Sequence, residues 1–344
     1  MAAIVATPVP LEQIGKLKGP QFGSKGVACL ATDGAHVYAG CRDHAIRVYD
    51  ARTHKLLYAL GAPAGPLDVA REGHVGCVTC LKLCGRRLFS GGGDRTLRAW
   101  DVKDRGPLRK VGEHGAIVTA LAVAGATLCS ADADGFVGLW DLETLEAAGE
   151  LEAKPSIYAL AVVGPVLFAA RGDGETVVAW DVSTKARADA PPYAAESLLA
   201  VGKKLYLGRD DGSISVWDAS RATPLPAAAL EHGHDGCVTA LASMAGAVVV
   251  SGGEDGAVVC WDAAARTRRW ATRPREGAVN GADAIVADDS GCLFSASPMA
   301  PHVQVWSGRN RADPEPEEPE PEDSLFAELE VNRRKEELRR RGVS

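Results

Sequence analysis

No stretch of about 18 or more consecutive apolar residues occurs in this chain, which excludes a continuous apolar membrane-spanning helix. The N-terminus, MAAIVATPVPLEQIGKLKG, has no basic segment ahead of an apolar run, so no secretory signal is expected and the protein is placed in the cytoplasm or nucleus. Strong charge of one sign is also lacking over most of the length. Of the net charge of −7, about −5 falls in the tail, where residues 312–323 hold seven acids and no base and residues 324–344 hold six bases and four acids. The nearly neutral remainder does not favour a general nucleic-acid or membrane binder. Nine cysteines is an odd number, and Cys77 and Cys237 stand at equivalent apolar positions, which argues for reduced, buried thiols rather than a disulfide framework.

What the chain does have is a repeat. Residues 73–101, GHVGCVTCLKLCGRRLFSGGGDRTLRAWD, read as three short strands: Cys77–Leu83, Leu88–Ser90 and Thr96–Trp100, separated by glycine turns. Such a piece cannot bury both of its faces alone and needs neighbours of its own kind. Six further stretches end alike: AIRVYD, FVGLWD, TVVAWD, SISVWD, AVVCWD and HVQVWS. Their aromatics, Tyr49, Trp100, Trp140, Trp180, Trp217, Trp261 and Trp306, are spaced by 51, 40, 40, 37, 44 and 45 residues. That period suits four short strands with tight turns.

On these endings the chain resembles the WD-repeat β-propeller family over residues 12–307. The resemblance implies an all-β fold, a single seven-bladed propeller. It also implies a hydrogen-bonded tetrad in well-formed repeats: His74, Ser90, Asp94 and Trp100; His114, Ser130, Asp134 and Trp140; His234, Ser251, Asp255 and Trp261. A buried imidazole and indole N–H need acceptors, which Ser and Asp supply. The first, fourth and fifth repeats keep Asp43, Asp173 and Asp211 but have no matching His, and Ala39, Ala169 and Leu207 replace Ser; the seventh keeps Ser295 with Met299 at the Asp place. These four are expected to rely more on apolar packing. The seventh repeat runs from Trp306 straight into polar sequence, so its outer strand is missing, and Glu12–Lys18 is the expected substitute, closing the exposed edge.

The organisation expected is a flexible N-terminus (1–11), the propeller (12–307), a disordered acidic Pro-rich linker (308–323) and a short amphipathic basic helix (324–344). The insertion GAPAGPLDVARE at 61–72 falls in a loop sharing a face with the aspartate turns. Arg42, Arg95, Arg171 and Arg209 cluster on that inferred face and suit recognition of carboxylate or phosphate, or serve as solvated turn residues. Trp270, amid the arginines of 265–276, reads either as a rim anchor or as part of a charged, protected edge strand. His74, Cys77, Cys80 and Cys84 hint at zinc, but Ile117 fills the place of Cys77 in the next repeat, so neither metal nor cofactor is expected.

Function is expected to be that of a non-enzymatic protein–protein interaction scaffold or adaptor, a monomeric propeller working within a complex. A narrower version is substrate receptor of a cullin-4 type ubiquitin ligase, because Tyr49-Asp50-Ala51-Arg52 and Trp100-Asp101-Val102-Lys103 resemble the endings that dock such a ligase's adaptor, with Arg52 and Lys103 as the contacts. The competing class, an enzyme with a central-channel site, needs polar inner strands, and VTCLKL, VTALAV and their equivalents are nearly all apolar. Leu325, Phe326 and Leu329 share one face of the C-terminal stretch, too small to fold alone but suited to a partner's groove. Replacing all three by alanine is expected to remove a specific partner in affinity capture without changing the thermal midpoint; an unchanged partner set would show that the segment does not dock.

Overall fold

Short strands of alternating burial, joined by turns, make sheets that expose apolar faces on both sides, and the chain resolves this by stacking one sheet against the next. The structure, a computed structural model, describes residues 12–17, 26–61, 73–172, 174, 176–220, 223–230, 233–244, 248–272, 284–287, 292–297 and 303–307. They form seven antiparallel four-stranded sheets. Blade two is representative, with an inner strand Val78–Cys84, a second strand Arg87–Gly92, a third Thr96–Asp101 and an outer strand Gly106–Glu113. Relative to the sequence reading, the inner strand starts one residue later, at Val78, and the second strand is longer at both ends.

The link between inner and second strand is a two-residue turn, as in Gly85-Arg86 between the paired Cys84 and Arg87. Its first residue is left-handed in blades two to five, with φ of 56°, 57°, 60° and 59° at Gly85, Gly125, Gly164 and Gly202. Glycine alone takes this conformation without strain, and it matches the twist of the flanking strands.

Burial follows the gaps between blades. One cluster joins Tyr38, Ile46, Val48 and Leu60 of blade one to Val78, Leu88 and Trp100 of blade two. Each aromatic at the end of a third strand is therefore a filler between sheets.

The ring closes with chain segments from its two extremes. Glu12–Leu17 pairs antiparallel with Val303–Ser307, from Glu12 opposite Ser307 to Leu17 opposite Val303, and supplies the outer strand of blade seven. Leu17 is fully buried in a cluster with Val27 and Tyr49 of blade one and Phe294 and Val305 of blade seven. The strand is one residue shorter than expected, and a bulge interrupts it between Gln13 and Gly15. Deleting residues 1–18 exposes a sheet edge and empties the Leu17 site. The thermal midpoint is expected to fall by at least about 5 °C; a midpoint equal to that of the full chain would mean that this strand does not hold the ring shut.

Candidate partner-binding face

Because strands alternate in direction, the turns between second and third strands lie at the same end of the ring as the segments leading from one outer strand to the next inner strand. This end is the mouth face. The opposite end, the base face, carries the turns from third to outer strand.

Three buried hydrogen-bond chains stiffen the mouth face. In blade two the Trp100 indole N–H donates to Ser90 Oγ at 2.8 Å, Ser90 Oγ lies 2.7 Å from His74 Nε2, and His74 Nδ1 lies 3.0 Å from Asp94 Oδ1. Blade six repeats this with Trp261, Ser251, His234 and Asp255 at 2.8, 2.8 and 3.0 Å. Serine, histidine and aspartate in this order resemble an acyl-transfer triad. Ser90 and Ser251 are fully buried, however, and a lone pair of each is occupied by an indole donor, so these sets brace rather than react. Burial disfavours the Asp94 carboxylate, but the His74 imidazole, the Val75 N–H and the Thr96 hydroxyl outweigh it and hold its pKa well below the usual range. The folded-state value is thus the depressed one. Its contribution to stability is present above about pH 4 and is lost as pH falls below that value toward the folded pKa.

Blade three corrects the sequence reading. Trp140 and Ser130 pair at 2.7 Å and Ser130 meets His114 Nε2 at 2.7 Å, but His114 Nδ1 meets Asp132 Oδ2 at 3.1 Å and not Asp134. Asp134 is exposed and gives only its backbone N–H, to Asp132 Oδ1. The reason lies two residues ahead of the turn aspartate. Blades two and six have glycine there, and a Cβ on Gly92 or Gly253 would stand 2.5 Å from the histidine Nδ1 and 2.6–2.8 Å from the turn carboxylate. Where that glycine is Asp132, the new carboxylate occupies the space and takes over the contact.

The remaining blades differ in kind. In blade one Arg47, 9% exposed, forks onto Asp43 with Nη1 to Oδ1 at 2.9 Å and Nη2 to Oδ2 at 2.5 Å, so an ion pair supplements apolar packing. In blade seven Trp306 donates to Ser295 Oγ at 2.9 Å. In blade five, where Leu207 replaces Ser, the buried Trp217 indole nitrogen has no partner among the described residues. Asp173 and Met299 lie outside the described residues.

Cysteines differ from expectation too. Cys77 and Cys237 are half-exposed at the mouth, one residue ahead of the buried Val78 and Val238. The buried thiols are Cys29, Cys41, Cys80, Cys129, Cys260 and Cys292; burial pushes Cys80, Cys129 and Cys260 up to about 12.

A β-bulge recurs near the start of the inner strand in blades one, two, three, four and six. Its extra residue is Ala28, Thr79, Thr119, Tyr158 and Thr239 in turn. Thr79 donates to Gly91 O at 3.0 Å and also reaches Val118 O, and Thr119 and Thr239 donate to Ala131 O and Gly252 O at 3.3 Å. Ala28 lacks such a hydroxyl, and Tyr158 puts a large ring in its place.

Of the turn arginines, Arg42 and Arg95 are exposed, and Arg95 Nη1 donates to Gly115 O at 3.4 Å. Arg171 and Arg209 are half-buried and occupy the Gly92 place in blades four and five. Arg209 sits 3.5 Å from Asp211 and 5.7 Å from the Tyr193 ring centre. The four arginines therefore split into two exposed and two half-buried. Trp270 packs partly buried against the cluster of Val250, Cys260 and Leu293, so much of its ring is core, and Arg269 is paired with Asp262 at 2.6 Å. The insertion at 62–72 and Leu325, Phe326 and Leu329 lie outside the described residues.

On the base face the aspartate after the aromatic ties a turn in blades one to six. Asp50 Oδ1 accepts from the Arg52 and Thr53 N–H groups at 3.0 and 2.6 Å, and Asp101 Oδ1 from those of Lys103 and Asp104 at 2.8 and 2.9 Å. The Arg52 and Lys103 residues are exposed in adjacent blades. Among the described residues, no group of three or more His, Cys, Asp or Glu is placed to hold a metal ion, and no helix is long and apolar enough to cross a membrane.

Seven four-stranded blades, with donor chains from indole to carboxylate in three of them, define a propeller of the type that typically serves as a platform for protein interactions. The profile described as WD domain, G-beta repeat matches residues 11–50, 67–101 and 228–262, so the chain carries WD40 repeats in these stretches. Small ribosomal subunit protein RACK1y of Oryza sativa subsp. japonica is 26% identical over 181 residues, covering 47% of this chain and 53% of that protein. The human Angio-associated migratory cell protein is 26% identical over 209 residues, 57% of this chain and 48% of that protein. The chain thus spans about half the length of these relatives. Among solved structures, that of U3-55K superposes with a TM-score of 0.70 at 18% identity, covering 86% of this chain and 98% of the other, a likeness of fold.

Asp132→Ala is expected to cost about 1–3 kcal/mol in denaturant unfolding, because it leaves the buried His114 without its acceptor. Asp134→Ala is expected to cost less than about 0.5 kcal/mol. Equal costs would contradict the assignment of Asp132 to the donor chain.

Proposed function

We propose that the protein is a non-enzymatic interaction scaffold that works in the cytoplasm or nucleus and receives partner proteins mainly on its mouth face. One observation carries this reading: the Ser-His-Asp sets are buried and satisfied, whereas the same face presents exposed Arg42 and Arg95 together with exposed apolar residues. Desolvated apolar anchors flanked by arginine are the composition that interfaces favour. Relatives with WD40 repeats and the propeller fold support the class by analogy.

A second reading rests on the base face. Exposed Arg52 and Lys103, in turns of adjacent blades fixed by Asp50 and Asp101, support docking to a cullin-4 ligase adaptor with the mouth left free for a substrate.

Quantitative affinity capture separates the two. Charge reversal at Arg42 and Arg95 together is expected to remove at least one wild-type partner, with a thermal midpoint within about 2 °C of wild type. Loss of a ligase adaptor on reversal of Arg52 and Lys103 would establish the second reading. A wild-type chain that captures no reproducible partner would overturn the scaffold reading altogether.

A further inference from the structure

We propose that the arc of the mouth face on blades two, three and four docks an extended acidic peptide of a partner protein, with Tyr158 as its aromatic anchor. This rests on the scaffold reading and narrows it to one arc and one ligand chemistry.

The departure of Tyr158 from its repeat is the observation that carries the proposal. At the same bulge, blades two, three and six place threonines whose hydroxyls bond backbone carbonyls. Threonine at this place serves the sheet. Tyr158 is 48% exposed, and its ring lies over Gly172, where a Cβ would stand 2.6 Å from the ring Cζ. Bulges re-aim a side chain, and here the redirected group is a large rigid ring that water covers on one side.

Two more exposed apolar residues continue the arc: Val75 at 54% on blade two and Ile117 at 45% on blade three. These three are among the five large apolar side chains exposed in the described residues; the other two, Leu57 and Leu108, lie on outer strands at the rim. Blades two and three are stitched at this point, since Thr79 bonds Val118 O and Arg95 bonds Gly115 O. Apolar contacts spaced over successive blades suit an extended segment rather than a single inserted side chain.

Charge selects the ligand. Arg95 lies within the arc and Arg42 on its flank, both exposed; of the arc's exposed carboxylates, Glu113 is paired with Lys110, Glu152 is paired with Lys154, and Asp134 also feels the Lys154 charge. Acids gather on the opposite arc, at Glu196 and Asp210 of blade five and Asp235 and Glu254 of blade six. Burial pushes the Glu196 carboxyl up, and the negative charges of Asp210 and Glu254 add to the shift. A carboxylate-bearing peptide is therefore drawn to blades two to four and repelled from five and six, whereas a basic peptide is steered the other way.

The test uses the full chain and three fluorescein-labelled pools of short synthetic peptides: apolar residues amid Asp and Glu, the same pattern with Lys for the acids, and the acidic pattern with Ser for the apolar residues. Fluorescence anisotropy is expected to show binding of the first pool only. Tyr158→Thr, which gives blade four the residue of blades two, three and six, is expected to weaken that binding at least about tenfold with an unchanged thermal midpoint. Tyr158→Phe is expected to retain it, and Gly172→Ala, which pushes the ring aside, to weaken it. The proposal is overturned if the wild type does not bind the first pool, binds the Lys pool equally, or binds the first pool as tightly after Tyr158→Thr. In those cases capture of partners by the wild type through another face would leave the scaffold reading intact, while absence of any captured partner would remove both.

Discussion

An indole N–H sealed between two sheets must find an oxygen, and much of this molecule follows from how each blade answers that demand. The aromatic at the end of a third strand fills the gap to the preceding blade, and its donor comes with it into the interior. Blades two, three and six answer with a serine that in turn engages a histidine and a carboxylate. That chain reaches the mouth face and fixes the turn and the incoming segment together, so this surface is held from beneath. Blade seven keeps the first link alone. In blade five the donor is left over, a local cost that the rest of the ring must offset. Rigidity around the ring is therefore uneven, greatest where the donor chains are complete.

The fold was legible because it is written seven times. Spacing of Tyr49 and the six tryptophans defines the blades, and the lack of an outer strand after Trp306 points to Glu12–Leu17. The donor chains of blades two and six were legible by the same comparison. Blade three was not, since two carboxylates stand near the turn and spacing alone does not say which one reaches His114. The signal was the missing glycine: SGGGD and SGGED leave a space beside the imidazole that SADAD fills with Asp132. Blade one hid its Arg47–Asp43 pair for a related reason, because the arginine comes from the third strand and not from the segment where histidine is sought.

The candidate face was less legible. Composition at the turns suggested four equivalent arginines, but Arg171 ends its strand and Arg209 follows directly on its own, and both are half-buried, a distinction that depends on register by a single residue. Tyr158 escaped notice because a tyrosine in an apolar strand reads as core. Only the bulge, which shifts the residue out of the alternation, turns it toward water.

Pairing Glu12–Leu17 with Val303–Ser307 also sets an order of events during synthesis. This strand leaves the ribosome ahead of the rest of the ring and has its partner among the ring's last residues, so it waits for roughly 15–60 s at ordinary elongation rates. Through that interval the nascent chain carries open sheet edges on its incomplete array and a Leu17 with nowhere to pack. Premature termination anywhere before Ser307 leaves blade seven's third strand without its neighbour, a substrate for chaperones and a template for wrong pairing, whereas the finished ring offers only the edges of its outer strands.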